Sequence, residues 1–337
     1  MPQSGSGRSH SSSARAARPT KMMKRVCIIG CGSIGSLYAA HLAKVTETWA
    51  YVRRAEHAQA LNEHGLSVTG THEFHTKLRA TTDPAEMPSF DLGIVASKAT
   101  QTAEAIGPIA HLFKKGAILS SQNGLGSEEV IAALADTFVI RGTTFMSGTR
   151  HTDTHVQYEL DTATWMGPFE PTKTPFALVK EAAELITASG LKAVALEDAR
   201  PAQWSKLIFN SSVNSVAALT ELPHSFHFAE EKDFGDLGHL LHALIEEGKS
   251  VAAGLGVKLY EDPWEMNKVG AQTDHPPSML YDIRHKLKTE IDFLGGAIAR
   301  EAARAGIPAP LHTALYRLIK GKEESWTYQG KGHPAAK

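Results

Sequence analysis

The sequence predicts an open, doubly wound α/β domain followed by an all-α domain. Three observations carry this prediction. An apolar, β-branched run from Val26 to Ile29 ends in Gly30-x-Gly32-x-x-Gly35 and passes into a helical pattern. Between residues 24 and 198, strand-like and helix-like runs alternate, as in a parallel sheet with crossover helices. From residue 199 to 325 the pattern is helical throughout, which sets the domain boundary near Asp198.

The elements follow in order. After the first strand, Ser36 to Ala43 reads as a helix and Thr48 to Val52 as the second strand. Ala55 to Asn62 is helical and Gly65 ends it. Leu66 to Ala80 alternates weakly, as short strands do. Asp91–Ser97, Gly116–Ser121 and Phe138–Phe145 read as buried strands, with helices over Ala99–Ala110 and Ser127–Ala135 between them. Residues 148–170 are rich in Thr, His and Tyr and read as antiparallel strands. A helix (Pro175–Ser189) and a strand (Lys192–Glu197) close the domain. Beyond it the longest helical candidates are Trp204–Leu219, Asp236–Ala253 and Met279–Ala305.

The glycine motif fixes the chemistry of the first turn. Gly30 allows a tight turn, Gly32 lets backbone N–H groups approach a phosphate, and Gly35 lets helix and strand pack closely. The helix start, with Ser33 and Ile34, then presents free N–H groups and a positive dipole end to an anion. This is a Rossmann-type dinucleotide site. About 20 residues beyond such glycines, an acidic residue would bind the ribose hydroxyl of NAD. Arg53-Arg54 stands there instead, and two guanidiniums suit a 2′-phosphate, so NADPH is the expected cofactor.

Composition narrows the class further. The 337 residues are 42% apolar and 21% charged, ordinary globular material with room for two domains. A net charge of −1 provides no basic field for nucleic acid or an anionic membrane. No apolar run approaches the ~20 residues needed to cross a bilayer. The two cysteines, Cys27 and Cys31, flank one tight turn where a disulfide is implausible, consistent with a reducing compartment. Residues 1–23 are rich in Ser, Gly, Ala and Arg, lack acids, and read as a disordered tail. They also resemble an organellar transit peptide, but starts at Met22 or Met23 would spare the first strand, and a cytoplasmic location is expected. Residues 326–337 read as a second tail. The 17 histidines include i, i+3 pairs at His72/His75, His224/His227 and His239/His242 and an i, i+4 pair at His151/His155. No carboxylate or cysteine set completes a tetrahedral site, so no metal is expected.

Lys206, Asn210 and Asn214 recur at i, i+4 and i+8 and therefore share one helical face. Lys98 and the segment Gln122-Asn123-Gly124-Leu125-Gly126 each follow a buried strand, at the carboxyl ends where ligands of open α/β sheets bind. Glu290 and Asp292 cannot both face one side of a helix, so one of them is expected at the cleft.

Taken together these motifs resemble the ketopantoate reductase (2-dehydropantoate 2-reductase) family. The resemblance runs from Lys24 to about Lys320 and rests on five motifs in order. These are the glycine turn; Val95-Ala96-Ser97-Lys98; Gln122 to Gly126; Trp204, Lys206, Asn210 and Asn214; and Ser278 to Asp282 with Thr289 to Asp292. The chain departs from the family at Tyr281, at Arg284–Leu287 and across 148–160, where a Pro-Gly turn is usual. The resemblance implies hydride transfer from NADPH to the C2 keto group of ketopantoate, with Lys206 as general acid. It implies that Glu290 holds the Lys206 ammonium, and that Asn210, Asn214, Ser278 and Asn123 bind substrate. It further implies that Lys98, Asn123 and Glu290 line the cofactor. The partner is then a small 2-keto acid, in a monomer or homodimer. A reductase of another 2-keto acid and a non-catalytic NADPH sensor are the alternatives.

Overall fold

The β-branched runs of the first half become strands because their alternate residues are apolar on both faces, and helices cover both faces. The computed structural model describes residues 23–223, 225, 235–270 and 276–328. Its strands are β1 (Arg25–Ile29), β2 (Glu47–Tyr51), β3 (Leu66–Gly70), β4 (Phe74–Thr76), β5 (Arg79–Thr81) and β6 (Leu92–Val95). There follow β7 (Ala117–Ser120), β8 (Phe138–Thr144), β9 (Ser147–Thr152), β10 (His155–Leu160), β11 (Thr164–Pro168) and β12 (Ala193–Ala195). The main sheet has the order β12-β11-β8-β7-β6-β1-β2-β5. All its neighbours run parallel except β8 and β11, which are antiparallel. Strand order reverses between β1 and β6, and the crevice outside their carboxyl ends is where such a sheet binds ligands.

Successive residues of β1 show the two-sided burial. Val26 and Ile28 enter one core cluster with Leu37, Leu42 and Ile186, while Cys27 and Ile29 enter another with Phe90, Phe113 and Ile131. Met23 is buried in the first of these clusters, so it packs with the domain although it was expected to end the tail. Residues 1–22 lie outside the described residues.

The helices of this half are α1 (Ser33–Leu42), α2 (Ala55–His64), α3 (Thr102–Ile106), α4 (Ser127–Leu134) and α5 (Phe176–Ala188). The helix expected over Ala99–Ala110 is instead two 3₁₀ segments, Ala99–Gln101 and Gly107–Phe113, around the short α3. Gly107-Pro108 explains the break, since proline has no N–H to continue the ladder. The segment 148–170 forms antiparallel pairs as expected, but β9 and β10 leave the main sheet. They join β3 and β4 in a separate four-stranded sheet ordered β4-β3-β10-β9.

The second half is helical: α6 (Arg200–Thr220), α7 (Asp236–Gly254), α8 (Pro263–Gly270), α9 (Ser278–Arg284), α10 (Gly295–Ala305) and α11 (Pro310–Ser325). Its core joins Trp204, Ile208, Leu241, Ile245, Met279, Ile291 and Ile298. The partly buried Trp326 packs against it, so the chain is still engaged where a tail was expected to begin. The single helix expected over Met279–Ala305 is broken. Lys286 adopts a left-handed φ of 52° after α9, and α10 starts only at Gly295. Tertiary bonds oppose the helix there: Thr289 donates its N–H and hydroxyl to Glu323 of α11, at 2.8 and 2.6 Å.

Asn214 ties this break to α6. Its Oδ1 accepts from the Met279 N–H at 3.0 Å and from the Ser278 hydroxyl at 3.3 Å, capping the first turn of α9. Its Nδ2 donates to the Asn210 carbonyl at 3.0 Å. Replacing it with alanine should orphan a buried N–H and remove the cap. Asn214→Ala is expected to lower unfolding stability by about 1–2 kcal/mol in urea titration, and an unchanged midpoint would refute the capping role.

Candidate active site

The glycine turn is built for a ligand as well as for packing. Gly30 has φ +90°, and a Cβ there would lie 2.9 Å from the Ser97 backbone. A Cβ on Gly35 would lie 1.9 Å from the Gly30 carbonyl oxygen. A Cβ on Gly32 would meet no protein atom within 4 Å, so packing gives no reason for glycine at that position. Gly32 caps α1, whose start has no side-chain cap and no acidic residue in its first turn. Open N–H groups beside an uncluttered glycine fit a dinucleotide pyrophosphate. Ser33 begins α1 and accepts a hydrogen bond from the Arg150 N–H at 3.2 Å, and Ile34 packs partly buried against the core.

The two arginines after β2 diverge. Arg53 lines a cavity of about 190 Å³ with Gly30, Tyr51, Ser97, Gln101 and Glu104. Arg54 turns away and binds both carboxylate oxygens of Asp153, at 2.5 and 2.7 Å.

Across the crevice, Lys206 of α6 points at the carboxyl ends of β7 and β8. Its Nζ donates to Asn123 Oδ1 at 2.8 Å and to the Thr144 carbonyl, and lies 5.3 Å from the centre of the Phe145 ring. Desolvation lowers its pKa to about 8, against the attraction of Glu290. The expected Glu290–Lys206 contact is not formed, and no ion pair joins the two. Glu290 instead accepts the Ala99 N–H at 2.7 Å, in a turn whose direction is set by the break after α9. Burial pushes its carboxyl pKa up, the Ala99 bond opposing. Lys98 is likewise spoken for: its ammonium pairs with Asp282, a buried residue of α9. Burial raises the Asp282 carboxyl, with Lys98 acting in the other direction.

The loop from Gln122 to Gly126 is pinned to the same turn. Gly124 (φ +89°) sits so close to Phe293 that a Cβ would lie 2.1 Å from its carbonyl oxygen, and Leu125 N–H donates to that oxygen at 2.9 Å. Gln122 donates to the Ser97 carbonyl at 2.9 Å, so neighbouring strand ends are laced together and Asn123 is presented to Lys206.

The comparisons with known proteins agree with this layout. The profile of ketopantoate reductase PanE/ApbA matches residues 26–171, and that of its C-terminal domain matches 198–323. The 2-dehydropantoate 2-reductase of Pyrococcus abyssi is 30% identical over 302 residues, covering 89% of this chain and 98% of the relative. The chain belongs to the ketopantoate reductase family. A family ketopantoate reductase structure from Ralstonia eutropha JMP134 superposes with a TM-score of 0.78 at 26% identity, over 90% of this chain and all of that one. A D-mandelate dehydrogenase in complex with NADH and anilino(oxo)acetate shares the fold, with a TM-score of 0.78 at 24% identity over 90% of this chain and 100% of that one. The family's reductive chemistry calls for a nicotinamide cofactor, and the glycine turn fits one.

In this family member the structure brings Lys206, Asn123, Glu290, Lys98 and Asp282 to one seam between sheet and helices. Asn210 is half-buried on the Lys206 face, and its side chain makes no hydrogen bond with the described residues. Asn214 and Ser278, expected at the substrate, bond to each other and to the start of α9. Asp282 was legible only as the end of a motif, without its role as the Lys98 partner. Nothing in the sequence signals the Thr144 carbonyl or the Phe145 ring. No group of three or more His, Cys, Asp or Glu side chains among the described residues is placed to hold a metal, and His224 and His227 lie outside those residues. No helix among them is long and apolar enough to cross a membrane.

Two glycine variants separate packing from binding. Gly35→Ala is expected to cost about 1–3 kcal/mol of stability, because backbone must move. Gly32→Ala should leave stability within about 0.5 kcal/mol while weakening dinucleotide binding. Equal stability losses in thermal unfolding would overturn the distinction.

Proposed function

We propose that this chain reduces 2-dehydropantoate (ketopantoate) to pantoate with NADPH, in pantothenate and coenzyme A biosynthesis, with Lys206 as general acid. The observation that carries the reading is the desolvated Lys206 ammonium. It is held by neutral acceptors, with the nearby carboxylates engaged elsewhere. When bound, the reduced nicotinamide supplies the hydride that goes to C2. As the carbonyl oxygen gains negative charge, Lys206 Nζ stabilises it and gives it a proton, leaving a secondary alcohol and a neutral amine that takes a proton back from water. Asn123 fixes the direction of Nζ. Asn210, whose amide on the same face is unpaired among the described residues, is suited to the substrate's polar end. Glu290 and Lys98 border the cofactor side through Ala99 and Asp282, and Asn214 and Ser278 shape the substrate's floor.

Arg53 is the better candidate for the 2′-phosphate, since it lines the cavity beside Gly30 while Arg54 is tied to Asp153. A second reading, reduction of a bulkier 2-keto acid, is favoured by one observation. Phe145 stands beside Lys206 in a half-exposed aromatic chain, 5.9 Å from Phe209 and 6.3 Å from Trp165, and Trp165 is 5.9 Å from Tyr260. Such a wall would take an apolar substituent.

The test is NADPH oxidation with ketopantoate, beside NADH, 2-ketoisovalerate and phenylpyruvate. Selective turnover of ketopantoate supports the first reading, and preference for phenylpyruvate supports the second. NADPH binding without reduction of any 2-keto acid would make the chain a sensor. Lys206→Ala should lose activity by at least about a hundredfold, the scale of general-acid catalysis. A general acid must be protonated. Reductive kcat/KM should therefore be flat below pH 8 and fall tenfold per unit well above it; a profile still flat at pH 9.5 would exclude Lys206 as the acid. Arg53→Ala should weaken NADPH binding by about 10- to 100-fold and spare NADH, whereas Arg54→Ala should not discriminate between them. Equal losses for both cofactors in Arg53→Ala would remove it from the 2′-phosphate.

A further inference from the structure

The hairpin β9–β10 belongs to the small sheet, yet it reaches over the glycine turn of the large one. Two of its contacts with α1 lie nearest the turn. The Arg150 N–H donates to Ser33 Oγ at the first residue of α1. Gly148 approaches α1 so closely that a Cβ would lie 3.1 Å from Leu37. At the hairpin's tip, Asp153 takes a 2.7 Å hydrogen bond from Arg150 and two from Arg54 at the start of α2. Two guanidiniums thus converge on one carboxylate beside the open end of α1.

We propose that this hairpin completes the dinucleotide site, with Arg150 binding the cofactor's pyrophosphate and the Arg54–Asp153 pair positioning the hairpin. The inference rests on the nicotinamide dinucleotide reading of the glycine turn. The charge balance supports it. Two permanent cations share one anion, and α1 brings no acidic residue in its first turn, so the cluster keeps a net positive charge next to the phosphate cradle. His57, against Asp153, does not change that sum: burial foremost lowers its pKa, with Arg150 and Arg54 acting the same way and Asp153 opposing. Arg150 is also near enough to the turn to act on Cys31, whose thiol burial pushes up to about 12 while Arg150 pulls it back. Both arginines are about a third to a half exposed, and ion pairs this open contribute little stability. Arg150 can therefore exchange part of its contact with Asp153 for a phosphate oxygen at small cost, and gain a charge-assisted bond.

The experiment is equilibrium binding of NADPH and NADH, read by nicotinamide fluorescence, and of adenosine 2′-monophosphate, read by calorimetry. The pyrophosphate is common to both dinucleotides, and neither of its phosphates is present in the monophosphate. Arg150→Ala should therefore raise Kd for NADPH and NADH by the same factor, about 10-fold or more, and leave the monophosphate unchanged. Arg150→Lys, which keeps a cation, should recover part of the loss and serves where the alanine variant folds poorly. Asp153→Asn should weaken both dinucleotides by a smaller, equal factor. Unchanged Kd values in Arg150→Ala would overturn the proposal. So would loss of NADPH and monophosphate binding with NADH spared, which would make Arg150 a 2′-phosphate contact. If the unaltered chain binds neither dinucleotide, the cofactor reading falls and the inference falls with it.

Discussion

The site depends on one constraint: an ammonium taken out of water and given, among the described residues, no carboxylate of its own. A buried lysine stays charged only to the extent that its surroundings replace its hydration. At Lys206 the replacement is an amide oxygen and a backbone carbonyl, both neutral, with Glu290 acting only at longer range. Had Glu290 closed to ion-pair distance, it would have held the proton more firmly and raised the pKa. The observed arrangement leaves the proton loosely held, which is what a general acid working near neutral pH needs.

The same economy explains the two carboxylates at the seam. Asp282 and Glu290 belong to the helical half, and their partners, the Lys98 ammonium and the Ala99 N–H, sit side by side just past β6. Burying acids is unfavourable unless their oxygens are satisfied, so each contact fixes the helical half against the sheet as it neutralises a cost. The break after α9 makes this possible. An unbroken helix would have carried Glu290 and Asp292 to different faces of one rod. In the turn, Glu290 reaches Ala99, while Asp292 turns outward to Tyr316 and Lys320 at 2.9 and 3.0 Å. Loop 122–126 docks on the same turn through Phe293, so the group that aims Lys206 and the acid that acts on it at range share one support.

Much of this was legible in the sequence. The parallel sheet, its order of strands and helices and the ligand-facing crevice follow from local pattern, because the central strands β1, β6 and β7 are buried on both faces and the turns after β1 and β7 carry glycines. The motif residues also meet where the topology says they should. What was hidden is tertiary in origin. Nothing in 279–305 announces a break, since Thr289 and Glu290 are drawn out of the helix by Glu323 and Ala99, both distant in sequence. The break over 99–110, by contrast, has a local cause in Gly107-Pro108. Met23 and Trp326 lie in segments that composition assigned to tails, and only packing shows them engaged.

The stripe Lys206–Asn210–Asn214 shows how far spacing can go. Periodicity puts three polar groups on one face, but it cannot say what each one faces along the length of the helix. Lys206 meets strand ends across the seam, and the Asn210 amide has no hydrogen bond with the described residues. Asn214, one turn further, meets the first turn of α9, where an unbonded backbone N–H is a stronger claimant than a ligand that comes and goes. A helix running from the sheet into the helical core passes from the strand ends at the seam to the start of α9 within about 12 Å, at 1.5 Å per residue. Polar groups on one face then divide by depth, and the last of them serves the α9 N-terminus.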